Sequence, residues 1–172
     1  MPGSTQSDFD TARERYRPDH IKTLFIAEAP PTLDSKRFFY FENITSHDAL
    51  FWETMRVLYS VTELERNRKA EFLTRFKMDG FFLIDVCSLP IPKGVTKKSE
   101  IRKSLKDLKS RIKDLVEPDT QIILICKTVY DVCFRDLREA DFNILNKEMI
   151  PHPAFGHQSD FRNKLGRVIA NE

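Results

Sequence analysis

Three residues of this chain combine reactive chemistry with a telling position. Glu28 directly follows the apolar run Leu24-Phe25-Ile26-Ala27 and is followed by Ala29, Pro30 and Pro31. Proline cannot donate to a sheet ladder, so the strand ends there and Glu28 sits at its carboxyl end. His152 stands between Pro151 and Pro153, just ahead of Ala154-Phe155-Gly156-His157. Asp85 comes late in the apolar run Phe81-Phe82-Leu83-Ile84-Asp85-Val86, where an unpaired carboxylate is costly to bury. It is either a cap or ion-pair partner at the solvent edge, or a reader of a ligand. In open α/β sheets ligands bind at that strand edge, so Glu28 and His152 are the side chains placed to meet one. Glu28 is otherwise a solvated strand-end carboxylate, and His152 otherwise a turn histidine fixed by two prolines. His157 reads as a loop residue.

The elements around these residues decide whether they meet. Strand-like runs occur near residues 24, 82, 122 and 149, and helical patterns separate them. Such spacing needs crossover connections. The expected fold is α/β: a three-layer α/β/α sandwich with a mostly parallel four-stranded central sheet. In open sheets of this kind ligands bind beyond the carboxyl ends of the strands. The Glu28 and His152 stretches are therefore expected to face each other across one cleft. The helix after Ser99 shows the clearest amphipathic stripe: Ile101, Leu105, Leu108, Ile112 and Leu115. Thr45 and Asp48 are spaced as a capping box for a helix reaching about Ser60, with His47 at its entrance, and Thr62 with Glu65 repeats that spacing. The long stretch 30–45 carries Phe38-Phe39-Tyr40-Phe41, either a core plug or a stacking platform for a planar ligand. Residues 1–19 read as an N-terminal tail or short helix, and 20–172 as one domain.

Composition narrows the classes. The chain has 172 residues, 41% hydrophobic and 31% charged, enough for one sizeable core. No apolar run approaches the roughly 20 residues needed to cross a bilayer. Net charge is only +2, but nine Lys or Arg fall from Lys93 to Lys113, broken by Glu100 and Asp107 and followed by Asp114. This is either a solvated helix face or a phosphate-contacting patch. The three cysteines, Cys87, Cys126 and Cys133, form no CxxC pair. That argues against a disulfide framework and for a cytoplasmic or other reducing intracellular compartment. No metal or other cofactor is expected. There is no GxGxxG and no GxxxxGK[ST], so neither dinucleotide nor P-loop chemistry is signalled.

The order of four features resembles the uracil-DNA glycosylase superfamily over roughly residues 20–167. Ala27-Glu28-Ala29-Pro30-Pro31 is similar to the Gly-Glu-(Gly/Ala)-Pro-Gly motif of the thermophile-type branch. The aromatic loop Phe38–Phe41 follows. Leu83-Ile84-Asp85-Val86-Cys87 is placed like the family strand that ends in a base-reading Asn. Ile150-Pro151-His152-Pro153-Ala154 is similar to the family's His-Pro-Ser motif. The resemblance implies a DNA partner and excision of uracil or another damaged base. It implies that Ala29 and Pro30 lie beside the base and sugar–phosphate, and that Phe38, Phe39 or Phe41 stacks on the flipped base. It further implies that Asp85 meets the base edge and His152 donates to the departing base. Pro153, Ala154 and Phe155 lie in the motif that fills the duplex gap.

A glycosylase must extrude its base before acting on it. Glu28 is the first choice to activate water, with Asp34 and Glu42 behind it. Phosphate contacts fall to Lys93, Lys97, Lys98, Arg162 and Lys164. Four departures from the family pattern bear on activity. Ala27 replaces a Gly, and Pro31 removes a backbone donor. Ala29 stands where the best-known branch has its water-activating Asp, and Asp85 replaces Asn. An ionised carboxylate only accepts hydrogen bonds, so Asp85 suits a base edge rich in donors. The branch's four cluster-ligating cysteines have no counterpart here. The alternative is a catalytically inactive module of the same fold that binds DNA or a nucleotide, and a third possibility is an unrelated small-molecule enzyme.

Overall fold

A computed structural model describes residues 5–32, 37–43 and 48–171. Helices and strands run in the order α1 (Gln6–Arg15), β1 (Thr23–Ala27), α2 (Ala49–Tyr59), α3 (Lys69–Met78), β2 (Phe81–Asp85), α4 (Lys97–Leu115), β3 (Gln121–Leu124), α5 (Lys127–Glu139) and α6 (Gln158–Ala170). A 3-10 segment, Glu63–Arg68, precedes α3 and starts with the expected Thr62–Glu65 capping box. Asp34, His47 and the Thr45 half of the other capping box lie outside the described residues.

The sheet is parallel, in the order β2-β1-β3, with Ala27 opposite Asp85 and Ile26 opposite Leu124. Its central strand buries Leu24, Phe25 and Ile26 completely. Each such side chain contributes roughly 1.5–3 kcal/mol relative to exposure. Helix α4 packs on α5, and α2 on α6. The stripe Ile101, Leu105, Leu108 and Ile112 is the buried face of α4. That helix begins earlier than the sequence suggests, because Thr96 rather than Ser99 caps it, accepting from the Ser99 backbone N–H at 3.4 Å.

The expected fourth strand is a correction: the sheet has three strands. The segment after α5 touches β3 only through isolated bridges, Ile122 with Ile144 and Ile125 with Ile150. Between them the buried Asn146 side chain takes the place of a main chain. Its amide oxygen accepts from the Leu124 N–H at 2.9 Å, and its NH2 donates to the Leu124 carbonyl at 3.1 Å. Pro151, with no N–H, follows directly on the last bridge. The outer edge of β2 is covered by a similar device. The Tyr40 hydroxyl accepts from the Leu83 N–H at 2.7 Å and donates to the Leu83 carbonyl at 2.9 Å. Side chains thus occupy part of each edge, Asn146 between main-chain bridges on β3 and Tyr40 at Leu83 on β2, which blunts both as templates for edge pairing.

Of the two readings of residues 1–19, tail or short helix, the structure has the helix over Gln6–Arg15, and it joins the core. Phe9 and Tyr16 lie in the same core as the sheet, and Phe9 packs on Phe38 and Phe41 with ring centroids 4.7 and 5.7 Å away. No helix among the described residues is long and apolar enough to cross a membrane.

Candidate functional site

The carboxyl ends of all three strands open into one cleft of about 610 Å³. Beyond β1 the ladder continues for two more bonds. Val86 N–H donates to the Ala27 carbonyl at 2.8 Å, and Cys87 N–H to the Glu28 carbonyl at 3.1 Å. These bonds pin the backbone that carries Glu28, and Pro30 and Pro31 then turn the chain along the cleft wall. From β2 come Leu83 and Asp85, and from the following loop Pro90 and Ile91. The β3–α5 turn supplies Cys126, Lys127 and Thr128. The segment before α6 supplies Pro151, His152, Ala154, Phe155 and His157. The Glu28 and His152 stretches therefore line the same cleft.

Glu28 is largely covered, and its Oε1 lies 2.7 Å from the Lys97 ammonium in the first turn of α4. The hydrogen bond that Lys97 donates to the Glu28 carboxylate raises the Lys97 pKa. His152 Nδ1 accepts from the Ala154 backbone N–H at 3.2 Å. In the neutral ring that leaves the proton on Nε2, free to donate to a ligand. Although the ring reaches solvent, the protein crowded around it lowers its pKa, the negative charge of Glu28 opposing this and Lys97 adding to it. The lowered pKa favours the neutral ring, with Nε2–H as its donor.

Asp85 is only 5% exposed. Burial raises its carboxyl to a pKa of about 6, with the charges of Arg13 and Arg111 opposing and Glu28 adding. Arg13 Nη2 stands 3.7 Å from Asp85 Oδ2 and its guanidinium 5.4 Å from the centre of the Phe38 ring. Arg111 donates not to the carboxylate but to the Asp85 and Val86 carbonyls, at 2.9 and 2.6 Å.

The aromatic loop divides its work. Phe38, Phe39 and Tyr40 are buried, Phe39 against Phe51 and Phe76, Tyr40 against Phe82. The loop is a core plug. Phe38 and Phe39 also contribute to the cleft lining, while Phe41, packed on Phe9 and Phe38, does not. Ala29 and Pro30 line the cleft and the buried Pro153 does not. At the rim Phe155 is 99% exposed and holds φ +54°, followed by Gly156 at +86°. A left-handed conformation is unusual for so bulky a residue, and here it sets an apolar ring on the surface beside the cleft.

Several sequence candidates are occupied elsewhere. Glu42 lies away from the cleft, held below the usual carboxylate range by the Tyr16 hydroxyl and by Arg15 at 2.8 Å. Arg162 pairs with the buried Glu53, and Lys164 with Asp160 at 3.3 Å. Lys93 and Lys98 are exposed and make no ion pair among the described residues.

Other cleft features carry no clear sequence signal. Asp48 lines the cleft, caps α2 by accepting from the Phe51 N–H at 3.4 Å, and forms a buried ion pair with Lys69. Lys69 also donates to the Phe38 carbonyl at 3.4 Å and sits 4.7 Å from the Phe51 ring centre. Its position in the helix pattern looks like any surface lysine. Arg37, exposed, adds a cation to the cleft wall. Cys126 turns from β3 into α5 at φ +82°, a conformation that costs on the order of 1–3 kcal/mol. Burial pushes its thiol well above the ordinary value, so it is a poor nucleophile at neutral pH.

Among the described residues, the side-chain cluster with metal-compatible spacing is His20, Glu117 and Asp119. These residues precede β1 and β3, at the edge opposite the cleft. The two imidazole nitrogens face different carboxylates, at 3.2 and 3.5 Å, so the ring bridges Glu117 and Asp119 rather than aiming one nitrogen at a shared ion. Comparison with protein-family models, with curated proteins and with solved structures found no match. Fold and site define an α/β protein with a parallel sheet and, at its carboxyl edge, a cleft lined by Glu28, Asp85 and His152.

Proposed function

We propose that this cleft receives a nucleobase turned out of DNA, and that the protein is a DNA glycosylase acting on a deaminated or otherwise damaged base. The observation that carries this reading is convergence. Glu28, Asp85, His152, Phe38 and Phe39 come from four separate stretches, and all five line one cleft. On this reading the pairing of α4 with α5 and of α2 with α6 corresponds to helix layers on the two faces of the sheet, as in the uracil-DNA glycosylase superfamily.

On this reading each lining residue takes one role. A planar base is held against the apolar surface of Phe38, Phe39 and Leu83, with its edge toward Asp85. His152, a neutral Nε2–H donor, stabilises the charge that develops on the departing base. Glu28 orients and deprotonates the water that attacks the sugar carbon, once ligand binding draws Lys97 from it toward phosphate. Phe155 occupies the gap left in the stack, and Lys93 and Lys98 meet the backbone.

A second reading has its own observation. Glu28 is already tied to Lys97 at 2.7 Å. If that pair persists in the complex, the cleft binds a base without hydrolysing its bond. Base release decides between them. Labelled oligonucleotides carrying uracil, hypoxanthine, xanthine or a guanine lesion are incubated with protein at low salt, then cleaved with alkali at abasic sites. Cleavage with one substrate supports the glycosylase. Salt-dependent binding with no cleavage of any substrate supports the binding module.

A further inference from the structure

The Asp85 carboxylate is unusual in how little it is given. It is nine-tenths buried and faces the cleft from the end of β2. Among the described residues no N–H or O–H group donates to it within hydrogen-bond distance. Arg13, at 3.7 Å, supplies countercharge without a hydrogen bond, and Arg111 is spent on main-chain carbonyls. A carboxylate offers about four acceptor sites. Those of Asp85 open onto the cleft rather than being sealed in the core, so a molecule entering there can fill them. That molecule must bring donors. Phe38, Phe39 and Leu83, each almost wholly buried, line the same cleft and make its wall there apolar.

Among nucleobase edges the choice is narrow. Uracil presents one ring N–H between two carbonyl oxygens, and those oxygens would face the carboxylate. Adenine and cytosine place a ring-nitrogen acceptor beside their amino donor. Guanine alone places a ring N–H next to an exocyclic amino group, two adjacent donors that match both carboxylate oxygens as an arginine fork does. We propose that Asp85 makes the cleft a reader of the guanine-type edge, so that the base it takes is guanine or a guanine lesion keeping both donors, not uracil. This rests on the reading of the cleft as a nucleobase site, and it holds whether or not the glycosidic bond is cut.

The test is binding of free nucleosides to the full chain, followed by backbone amide NMR shifts. Deoxyguanosine is expected to bind about tenfold more tightly than deoxyinosine, which lacks only the 2-amino group, a bidentate pair having lost one arm. Deoxyuridine is expected to bind more weakly still. Asp85→Asn should erase the preference for deoxyguanosine. Equal binding of deoxyguanosine and deoxyinosine, or tightest binding of deoxyuridine, overturns the proposal without any variant. If no nucleoside shifts amides of the cleft, the proposal falls with the nucleobase reading beneath it. Discrimination without base release from DNA leaves it standing and rejects the glycosylase alone.

Discussion

Replacing Asp85 with asparagine should make this protein more stable at neutral and alkaline pH. The side chain is buried, and its carboxyl titrates at about 6 in the folded chain against an ordinary 3.8. The folded-state value is raised, so the ionised form is the disfavoured one. At about 1.36 kcal/mol for each pH unit between the two values, the ionised carboxylate carries a penalty of about 3 kcal/mol. That penalty is full above pH 6. It is relieved as pH falls from about 6 toward 3.8, because the folded chain takes up the proton before the unfolded chain does. Asparagine has nearly the same shape and never ionises. Asp85→Asn is therefore expected to stabilise by up to about 3 kcal/mol near pH 8 and by about half of that near pH 5. Urea unfolding of both proteins at the two pH values measures this, and subtraction removes the contribution of every other titrating group. A variant less stable than wild type by more than about 1 kcal/mol near pH 8, with no narrowing at acid pH, would show that the Arg13 contact is a structural ion pair and that the reasoning is wrong. The expected result is the signature of a site that gives up stability for a ligand.

Lys69→Met should destabilise by about 3–5 kcal/mol in denaturant unfolding, because it strands the buried Asp48 carboxylate at the start of α2. Asn146→Ala should cost roughly 2–4 kcal/mol by the same measurement, since both polar groups of Leu124 lose their partner on a sheet edge with no strand to replace it. Phe155→Ala should leave stability within about 0.5 kcal/mol, the ring being wholly exposed, while weakening binding to duplex DNA in a fluorescence titration. Unchanged DNA affinity in that variant would remove Phe155 from the interface.

The placement of Glu28 and His152 was legible because proline punctuates both stretches: Pro30 and Pro31 end β1 after Glu28, and Pro151 and Pro153 flank the imidazole. Asp85 stood out as a carboxylate in an otherwise apolar run. The rest depends on contacts that leave no local trace. Arg13 reaches Asp85 from a helix 72 positions earlier, in a polar segment that reads as a tail or short helix with no link to the sheet. Lys69 looks like a surface lysine until α3 is laid against Asp48. Asn146 mimics a strand with its side chain, and period-2 patterning cannot report a ladder made that way. Tyr40 falls in an aromatic cluster that composition leaves open between plug and platform, and its two bonds to Leu83 decide for the plug.

The central claim is that Glu28 and His152 act together on a base held in this cleft. Single-turnover base release, measured beside DNA affinity for wild type, Glu28→Gln and His152→Ala, tests it most directly. The account predicts release by wild type, slowed about 10²–10⁴-fold in Glu28→Gln and about 10²–10³-fold in His152→Ala, with DNA affinity changed little in either. Release at the wild-type rate in both variants would place the chemistry elsewhere and contradict the account.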